Sequence, residues 1–196
     1  LLSFVLVCYA GFLLAVLLIY FPTIRFMVRE NPIKFLKQIW EPMVFSFSTC
    51  SSSATLPYSL KAAKDMGVSR PIRSFVLPLG ATVNMAGSAM YQGITAIFVS
   101  HLFGIHLTLV QQLTIVLTAV LASIGTAGVA GASIIMISVV LTSVGMPLEG
   151  VAIVAGVDKL IDMPRTSINV MGDIATAAWV ARTEGELDPT KTAGED

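Results

Sequence analysis

Long apolar runs, interrupted by serine-rich and glycine-rich segments, dominate the pattern of this chain. Residues 1–24 and residues 74–148 contain no Asp, Glu, Lys or Arg. Because about 20 apolar residues cross a bilayer as a helix, the second run is long enough for several membrane-embedded segments. Charged residues make up 12% of the chain, which is about half of their share in soluble domains. The pattern therefore predicts an all-α polytopic membrane protein in contact with a lipid bilayer.

Polar and basic residues divide this apolar sequence into five parts. We predict a spanning helix over 1–27, a first hairpin over 32–66, a broken helix over 70–103, a second hairpin over 109–144 and a polar helix over 151–182. Both hairpins are predicted to be re-entrant, because irregular backbone at membrane depth is stable only when it is buried in protein or lines a cavity. A polar, disordered cytoplasmic tail is expected over 183–196.

The basic residues predict the orientation of the two hairpins. Arg25 and Arg29 precede the first hairpin, and Arg70 and Arg73 follow it, so the positive-inside rule places both of its ends in the cytoplasm. The loop after the second hairpin has no basic residue, which favours entry from the outside. Two inverted repeats, each a hairpin followed by a helix, are typical of the transport domain of secondary transporters.

Six polar residues share one face of the predicted last helix, whose other faces are apolar. At about 100° per residue, this face contains Asp158, Asp162, Arg165, Thr166, Asn169 and Asp173. A charged residue at the centre of a membrane helix costs at least about 2.5 kcal/mol. The stripe therefore indicates a site for ions or a polar substrate, since Arg can bind a carboxylate through two parallel hydrogen bonds and Asp can accept from an ammonium group.

Pro164 lies within the polar stripe and affects its expected geometry. It has no N–H to donate to the carbonyl of Leu160, so we expect the helix to kink or open there and to expose backbone for binding. The alternative interpretation is that Asp162 and Arg165, three residues apart, form an ion pair within the helix.

Three irregular segments are candidates for binding or gating. Ser51, Ser52 and Ser53 at the centre of the first hairpin offer hydroxyls and N–H groups to an anion, or form a flexible linker. Residues 125–131 of the second hairpin form either a gate whose carbonyls coordinate a cation or a close helix contact. Residues 84–88 break the 70–103 helix, either around a ligand or as a simple kink.

Several classes of function are disfavoured by the sequence. The net charge is zero, so nothing indicates nucleic-acid binding. An enzyme is not expected, because the chain has no Gly-x-Ser-x-Gly motif, and its membrane-embedded aspartates share one helix instead of facing each other. A substrate-gated anion channel remains the alternative of another class.

The motifs resemble the dicarboxylate/amino acid:cation symporter family, in residues 51–57, 79–88, 123–129 and 162–173. The resemblance covers essentially the whole chain and corresponds to the C-terminal half of such a protein. It implies a longer protein, a homotrimer formed through the preceding half, and a multi-pass location in the plasma membrane (the inner membrane in a bacterium). It also implies uptake of an acidic amino acid, aspartate or glutamate, with sodium or protons by alternating access. Dicarboxylate or cystine symport is the alternative within the family.

The resemblance also implies residue roles. Asp162 would bind the ammonium group of the substrate and Arg165 its side-chain carboxylate. The remaining substrate contacts would come from Ser51, Ser52, Ser53, Ser88, Val129, Thr166 and Asn169. One sodium site would consist of Asp173 and the carbonyls of Gly80, Asn84 and Asn169, and a second of the carbonyls of Thr82, Ser123, Ile124 and Thr126.

Departures from the family pattern concern coupling and pocket shape. Ala86 stands where sodium-coupled members have Asp, which leaves the number and identity of the cations open. Gln92 replaces the Glu of potassium-exchanging members, so potassium antiport is not expected. The other departures are Cys50 and Met163, where different members have an extra Arg, and Pro164, Ala130 and Ser133.

Overall fold

The computed structural model describes residues 1–188, and its regular structure over this range is helical. In chain order the helices are α1 (Leu2–Val28), α2 (Pro32–Gln38), α3 (Trp40–Thr49), α4 (Ser52–Asp65), α5 (Arg70–Val83), α6 (Ala86–Leu102), α7 (Leu109–Ile124), α8 (Ala132–Ser143), α9 (Glu149–Ala155) and α10 (Asp158–Thr183). The prediction of an all-α chain is therefore confirmed.

The first helix is the one helix among residues 1–188 that is both long and apolar enough to cross a membrane. It continues past Pro22 through two π-helical segments, Val16–Tyr20 and Thr23–Val28. Wider turns of this kind relieve the loss of the proline N–H. The helix ends before Arg29, whose φ of 60° is left-handed. Helices α7 and α8 are also apolar but have 16 and 12 residues.

Two helix pairs, α3–α4 and α7–α8, bring irregular turns to the interior. The turn of the first pair is short: Cys50 has a φ of 55°, and the Ser51 hydroxyl caps α4 by accepting from the Ala54 N–H at 3.1 Å. The turn of the second pair is longer and ends at Gly131, whose φ is 78°. Helices α3 and α4 pack on α10, whereas α7 and α8 pack on α6.

Helix α10 is central and is contacted by α1, α3, α4, α5 and α6. The single polar helix expected over 151–182 is divided in the structure, because α9 ends at Gly156 and α10 begins at Asp158. The first residue of the polar stripe is thus the first residue of α10.

The expected opening of α10 at Pro164 was wrong, because the helix is continuous from Asp158 to Thr183. The Leu160 carbonyl, which loses its usual N–H donor to Pro164, instead accepts a hydrogen bond from the Tyr9 hydroxyl of α1 at 2.8 Å. A side chain from another helix therefore replaces the missing donor to this carbonyl.

The beginning of the predicted tail is ordered. The Ser69 N–H donates to the Glu186 carbonyl at 3.2 Å, and the Asp188 N–H donates to the Gly67 carbonyl at 2.8 Å. Val68 and Leu187 form an isolated bridge. The expected disorder was therefore wrong for residues 183–188, while residues 189–196 of that prediction lie outside the described residues.

Apolar side chains cover much of the outer surface of α1 and α7. Leu2 is 75% exposed and Leu6 60%, and on α7 Leu113, Leu117 and Leu121 are each more than 60% exposed. A contiguous apolar surface of this kind is unfavourable in water. It is compatible with lipid or with another protein segment as the surroundings.

Candidate functional site

The polar face of α10 is turned into the protein. Each of its six side chains is at most 5% exposed, namely Asp158, Asp162, Arg165, Thr166, Asn169 and Asp173. Buried charged groups are stable only when other groups compensate them. The contacts of this stripe therefore define the candidate site.

Arg165 is held by two carboxylates and one aromatic ring. Its Nη2 lies 2.8 Å from Asp162 Oδ1, and its Nη1 lies 3.6 Å from Asp158 Oδ1. The guanidinium carbon is 4.7 Å from the centre of the Tyr91 ring, within cation–π range. The ion pair inside the helix thus forms, yet Arg165 Nη1 has no hydrogen-bond partner among the described residues. This buried donor can bind a carboxylate from a ligand.

Asp162 links α10 to the turn of the second helix pair. It accepts from Arg165 Nη2, from the Thr166 hydroxyl at 2.8 Å and from the Gly131 N–H at 3.2 Å. Since Gly131 precedes α8 directly, a movement of this turn would release one carboxylate oxygen. That oxygen could then accept from an ammonium group.

The turns of the two helix pairs are in direct contact. The Gly128 carbonyl accepts from the Ser51 hydroxyl at 2.8 Å and from the Ser53 N–H at 3.0 Å. A Cβ atom at Gly128 would lie 2.6 Å from the Ala81 carbonyl oxygen and 2.7 Å from Ser53 Oγ. Position 128 therefore requires glycine for this close approach.

The break between α5 and α6 is fixed to α10 through one amide side chain. Asn169 Oδ1 accepts from the Gly87 N–H at 2.8 Å. Its Nδ2 donates toward Met85 Sδ at 3.3 Å and Ser88 Oγ at 3.4 Å. Ser133, at the start of α8, donates to Ser88 Oγ at 3.2 Å. The break thus contacts both α10 and the second helix pair.

These elements enclose a small cavity of about 10 Å³, room for about one water molecule. It is lined by Cys50, Ser52, Met85, Ser88, Thr126, Ala127, Gly128, Val129, Ser133, Asp162, Arg165, Thr166 and Asn169. Seven of the expected substrate-binding residues lie in this lining, whereas Ser51 and Ser53 lie behind it on Gly128. An amino acid can enter only if the surrounding elements separate.

Two of the residues expected at the first sodium site, Gly80 and Asn84, lie next to Asp173. Asn84 Nδ2 donates to Asp173 Oδ1 at 3.0 Å, and a Cβ atom at Gly80 would lie 2.7 Å from the same oxygen. Asn169 lies one turn earlier on the same helix. Asp173 is 4% exposed, and within the described part of the chain no basic side chain forms an ion pair with it. Such a carboxylate requires a cation or a proton.

The residues of the second expected sodium site are less clearly grouped. Ser123 and Thr126 are buried at the end of α7, and the Ser123 carbonyl accepts from the Thr126 N–H at 3.0 Å. Ile124 is 47% exposed, and Thr82 is exposed on α5. The Ala81 carbonyl, one residue before Thr82, lies against Gly128. The described contacts thus join Ser123 to Thr126, and bring the end of α5 next to the turn that follows α7.

Two site residues were missed by the sequence interpretation of binding roles. Tyr91 lies in apolar helical sequence, where a buried ring has no distinguishing spacing. The other is Lys159, whose ammonium group donates to Cys50 Sγ at 3.0 Å. The position of Lys159 directly after Asp158 was the one available signal.

Comparisons with known proteins agree on one family. The sequence profile of the sodium:dicarboxylate symporter family matches residues 1–183. An excitatory amino acid transporter of Caenorhabditis elegans is 42% identical over 174 residues, covering 87% of this chain and 35% of the relative. A proton/sodium-glutamate symport protein of Bacillus subtilis is 39% identical over 158 residues, covering 81% and 37%.

A third relative is the proton/glutamate-aspartate symporter of Escherichia coli, which is 40% identical over 151 residues, covering 77% of this chain and 35% of the relative. The chain thus spans little more than a third of the length of these three relatives.

Proposed function

Because the chain belongs to the sodium:dicarboxylate symporter family, we propose that it is the substrate-binding part of a carrier for an acidic amino acid, aspartate or glutamate. The family is one of membrane transporters and not of enzymes. We propose that transport is secondary active symport with sodium, or with protons, by alternating access. The relatives named for glutamate or aspartate symport support this substrate class.

The observation that carries the proposal is the buried, partly unpaired guanidinium of Arg165. Its guanidinium is 3% exposed and keeps one donor without a hydrogen bond in the described residues. A substrate carboxylate accepting from this donor would form a charge-assisted hydrogen bond, which is about twice as strong as a neutral one. Asp162, three residues away, would accept from the substrate ammonium group after Gly131 withdraws. Together they match an amino acid that carries an extra acidic group.

The proposed gate is the turn of the second helix pair. The cavity of about 10 Å³ is far too small for an amino acid, so this turn would have to move away from Asp162 and Ser88 for substrate to enter. We propose that the helix pairs α3–α4 and α7–α8 are re-entrant hairpins within a transport domain of two inverted repeats. This domain would comprise residues 1–182.

The buried carboxylate of Asp173 is the reason for proposing bound cations. A sodium ion beside Asp173, with carbonyls from Gly80, Asn84 and Asn169, would compensate its charge with the oxygen ligands that hard cations prefer. We propose a second sodium ion at the carbonyls of Thr82, Ser123, Ile124 and Thr126, which closure of the second hairpin would complete. Protons remain the alternative coupling ion.

The proposal extends to the complete protein. We propose a homotrimer formed by segments that correspond to the rest of the relatives' length, and a location in the plasma membrane, or the inner membrane of a bacterium. Dicarboxylate symport is less favoured, because a dicarboxylate offers no ammonium group to Asp162, and cystine symport is the other alternative within the family. An anion channel is less favoured, because the small closed cavity supports gating and not a continuous pore.

The test is uptake of radiolabelled aspartate and glutamate by the full-length protein in proteoliposomes, under an imposed sodium or proton gradient. We expect saturable uptake that follows one of the two gradients. Asp173→Asn should reduce the dependence on that cation, while Asp65→Asn, at the exposed end of α4, should not. Preferred uptake of succinate or cystine would favour the alternatives within the family, and non-saturable anion flux without uptake would favour a channel.

A further inference from the structure

We propose that Asp158 takes up a proton when the substrate binds, so that one proton is bound together with the acidic amino acid. This inference rests on the proposed function and assigns a proton site to it. Asp158 is the first residue of α10 and is 5% exposed. It lies outside the lining of the small cavity, so the proposed substrate contacts give it no role.

The buried cluster around Arg165 carries more negative than positive charge. Arg165 faces two carboxylates, those of Asp162 and Asp158, and the side chains of all three are at most 7% exposed. Buried charges are stable only when other groups compensate them. A single guanidinium compensates one carboxylate, so the second one depends on its other neighbours.

The two carboxylates are compensated unequally. Asp162 accepts three hydrogen bonds, one of them from Arg165 Nη2 at 2.8 Å. Asp158 Oδ1 has no hydrogen-bond partner among the described residues and lies 3.6 Å from Arg165 Nη1. The amino end of α10 adds only about half an elementary charge. Asp158 is therefore the carboxylate of this cluster that loses least when a proton neutralises it.

The remaining charged and titratable neighbours of Asp158 do not supply the missing positive charge. Lys159 is exposed, and its ammonium group donates to Cys50 Sγ at 3.0 Å, so water and salt screen its charge. Cys8 of α1 and Tyr91 of α6 also lie near this cluster. A thiol and a phenol are neutral near pH 7.

Tyr91 provides a partner for the neutral form of Asp158. Its hydroxyl is the polar group of α6 beside Asp158, and it is buried without a hydrogen bond of ordinary geometry among the described residues. A protonated carboxyl has a hydrogen to donate, whereas a carboxylate can only accept. The phenolic oxygen could accept that hydrogen, so both groups would gain a partner when Asp158 is protonated.

Substrate binding would remove the contact between Asp158 and Arg165. The Nη1 donor that lies 3.6 Å from Asp158 Oδ1 is the donor proposed to bind the substrate carboxylate. A carboxylate at this donor would compete with Asp158 for it and would add negative charge nearby, which disfavours the ionised form of Asp158. Both residues belong to α10, so this competition does not depend on how the second helix pair moves.

The test measures the protons taken up when aspartate or glutamate binds to the full-length protein. Isothermal titration calorimetry in buffers of different ionisation enthalpy gives this number, at one pH and at a fixed, saturating sodium concentration. We expect the wild type to take up as much as about one proton, and its affinity for the amino acid to fall by up to about tenfold for each unit that the pH rises.

Asp158→Asn imitates the neutral carboxyl, so it should bind the amino acid without proton uptake and with an affinity that does not depend on pH. The matched control is Asp65→Asn, which makes the same chemical change at the exposed end of α4 and should keep the proton uptake of the wild type. A purely structural role of Asp158 would lower affinity at every pH and leave the proton uptake unchanged.

The outcomes separate this inference from the proposed function. Wild-type binding without proton uptake, or undiminished uptake in a folded Asp158→Asn protein, would overturn the role of Asp158 and leave the carrier proposal intact. If Asp158→Asn does not fold or bind, Asp158→Glu keeps a titratable carboxyl at a different distance from Arg165 and should shift the pH dependence of affinity. An unshifted pH profile overturns the role equally. Binding of neither amino acid by a folded wild type would overturn the proposed function and this inference with it.

Discussion

The two helix pairs hold the candidate site in different ways. In the first pair, α3 and α4 lie along α10, and polar groups join them at depth. The Ser167 hydroxyl of α10 donates to the Met43 carbonyl at 3.0 Å, and Ser46 Oγ lies 3.3 Å from Ser167 Oγ. These bonds fix α3 of the first pair to the helix that carries the charges.

The second pair reaches the site mainly through its turn. Helices α7 and α8 pack on α6, and the contact with α10 is the hydrogen bond from Gly131 to Asp162 at 3.2 Å. Other hydrogen bonds join Ser133 to Ser88 on α6, and the Gly128 carbonyl to Ser51 and Ser53 of the first pair. Each such bond contributes about 0.5–1.5 kcal/mol net. We infer that the first pair is a fixed wall and that the second is the part that can move at low energetic cost.

The largest expected effect comes from Arg165, which lies on the surface that both pairs enclose. Arg165→Cys removes the guanidinium and should lower affinity for aspartate and glutamate by about 10- to 150-fold, since the charge-assisted hydrogen bond from its free donor is lost at about 1.5–3 kcal/mol. Binding and uptake in proteoliposomes measure this, together with uptake of neutral amino acids, which the variant is expected to admit.

Arg165→Lys serves as the matched variant, because it keeps the positive charge and loses the planar fork of donors. It should retain the fold and still lose most acidic uptake. Wild-type uptake by either variant would refute the assignment of Arg165.

The next largest effect on substrate affinity is expected from disrupting the contact between the two turns. Gly128→Ala would push a methyl group against Ala81 and Ser53, so the second pair could no longer close on the first. We expect substrate affinity to fall by about 10-fold or more. The nearby Gly125→Ala meets only ordinary contacts, the nearest at 3.6 Å, and is the control. Equal effects of the two alanines would contradict the proposed closure.

Changes beside Asp173 should alter the sodium dependence of uptake without affecting the contact between the turns. Gly80→Ala places a methyl 2.7 Å from Asp173 Oδ1 and should raise the sodium concentration for half-maximal uptake by about 10-fold. Gly93→Ala meets no atom within 4 Å and should leave it unchanged, with a gain in helix stability of about 0.4–1 kcal/mol. A sodium titration of uptake measures both. A wild-type sodium dependence in a folded Gly80→Ala protein would argue against cation binding beside Asp173.

The smallest effect is expected where the first pair meets α10. Ser167→Ala removes the bond to the Met43 carbonyl and should lower stability by about 0.5–1.5 kcal/mol, seen as a lower thermal midpoint in detergent. Uptake per folded molecule should stay within twofold of wild type, because a fixed wall does not take part in gating. A larger loss of uptake would mean that the first pair also moves.

The sequence predicted those features that depend on periodicity. The stripe from Asp158 to Asp173 follows from helical spacing alone, and the turns at Ser51 and Gly128 follow from local composition. Burial of the stripe follows too, because charges in an apolar chain must avoid lipid.

Features that depend on three-dimensional neighbours could not be predicted. Tyr91 binds the guanidinium through a ring that, in sequence, is one more apolar helical residue. The ordered contacts of Glu186 and Asp188 depend on the turn at Gly67, more than 100 residues earlier. The division between α9 and α10 at residues 156–157 is likewise not marked by the spacing of apolar residues.

The hydrogen bond from Tyr9 to the Leu160 carbonyl makes two distant positions interdependent. Proline at 164 frees an acceptor, and tyrosine at 9 uses it. With any other residue at 164 the amide would reclaim that carbonyl and the phenol would lose its role, while phenylalanine at 9 would leave the carbonyl unsatisfied in an apolar setting. We therefore expect residues 9 and 164 to change together among homologous proteins. Helices α1 and α10 would then share one evolutionary constraint.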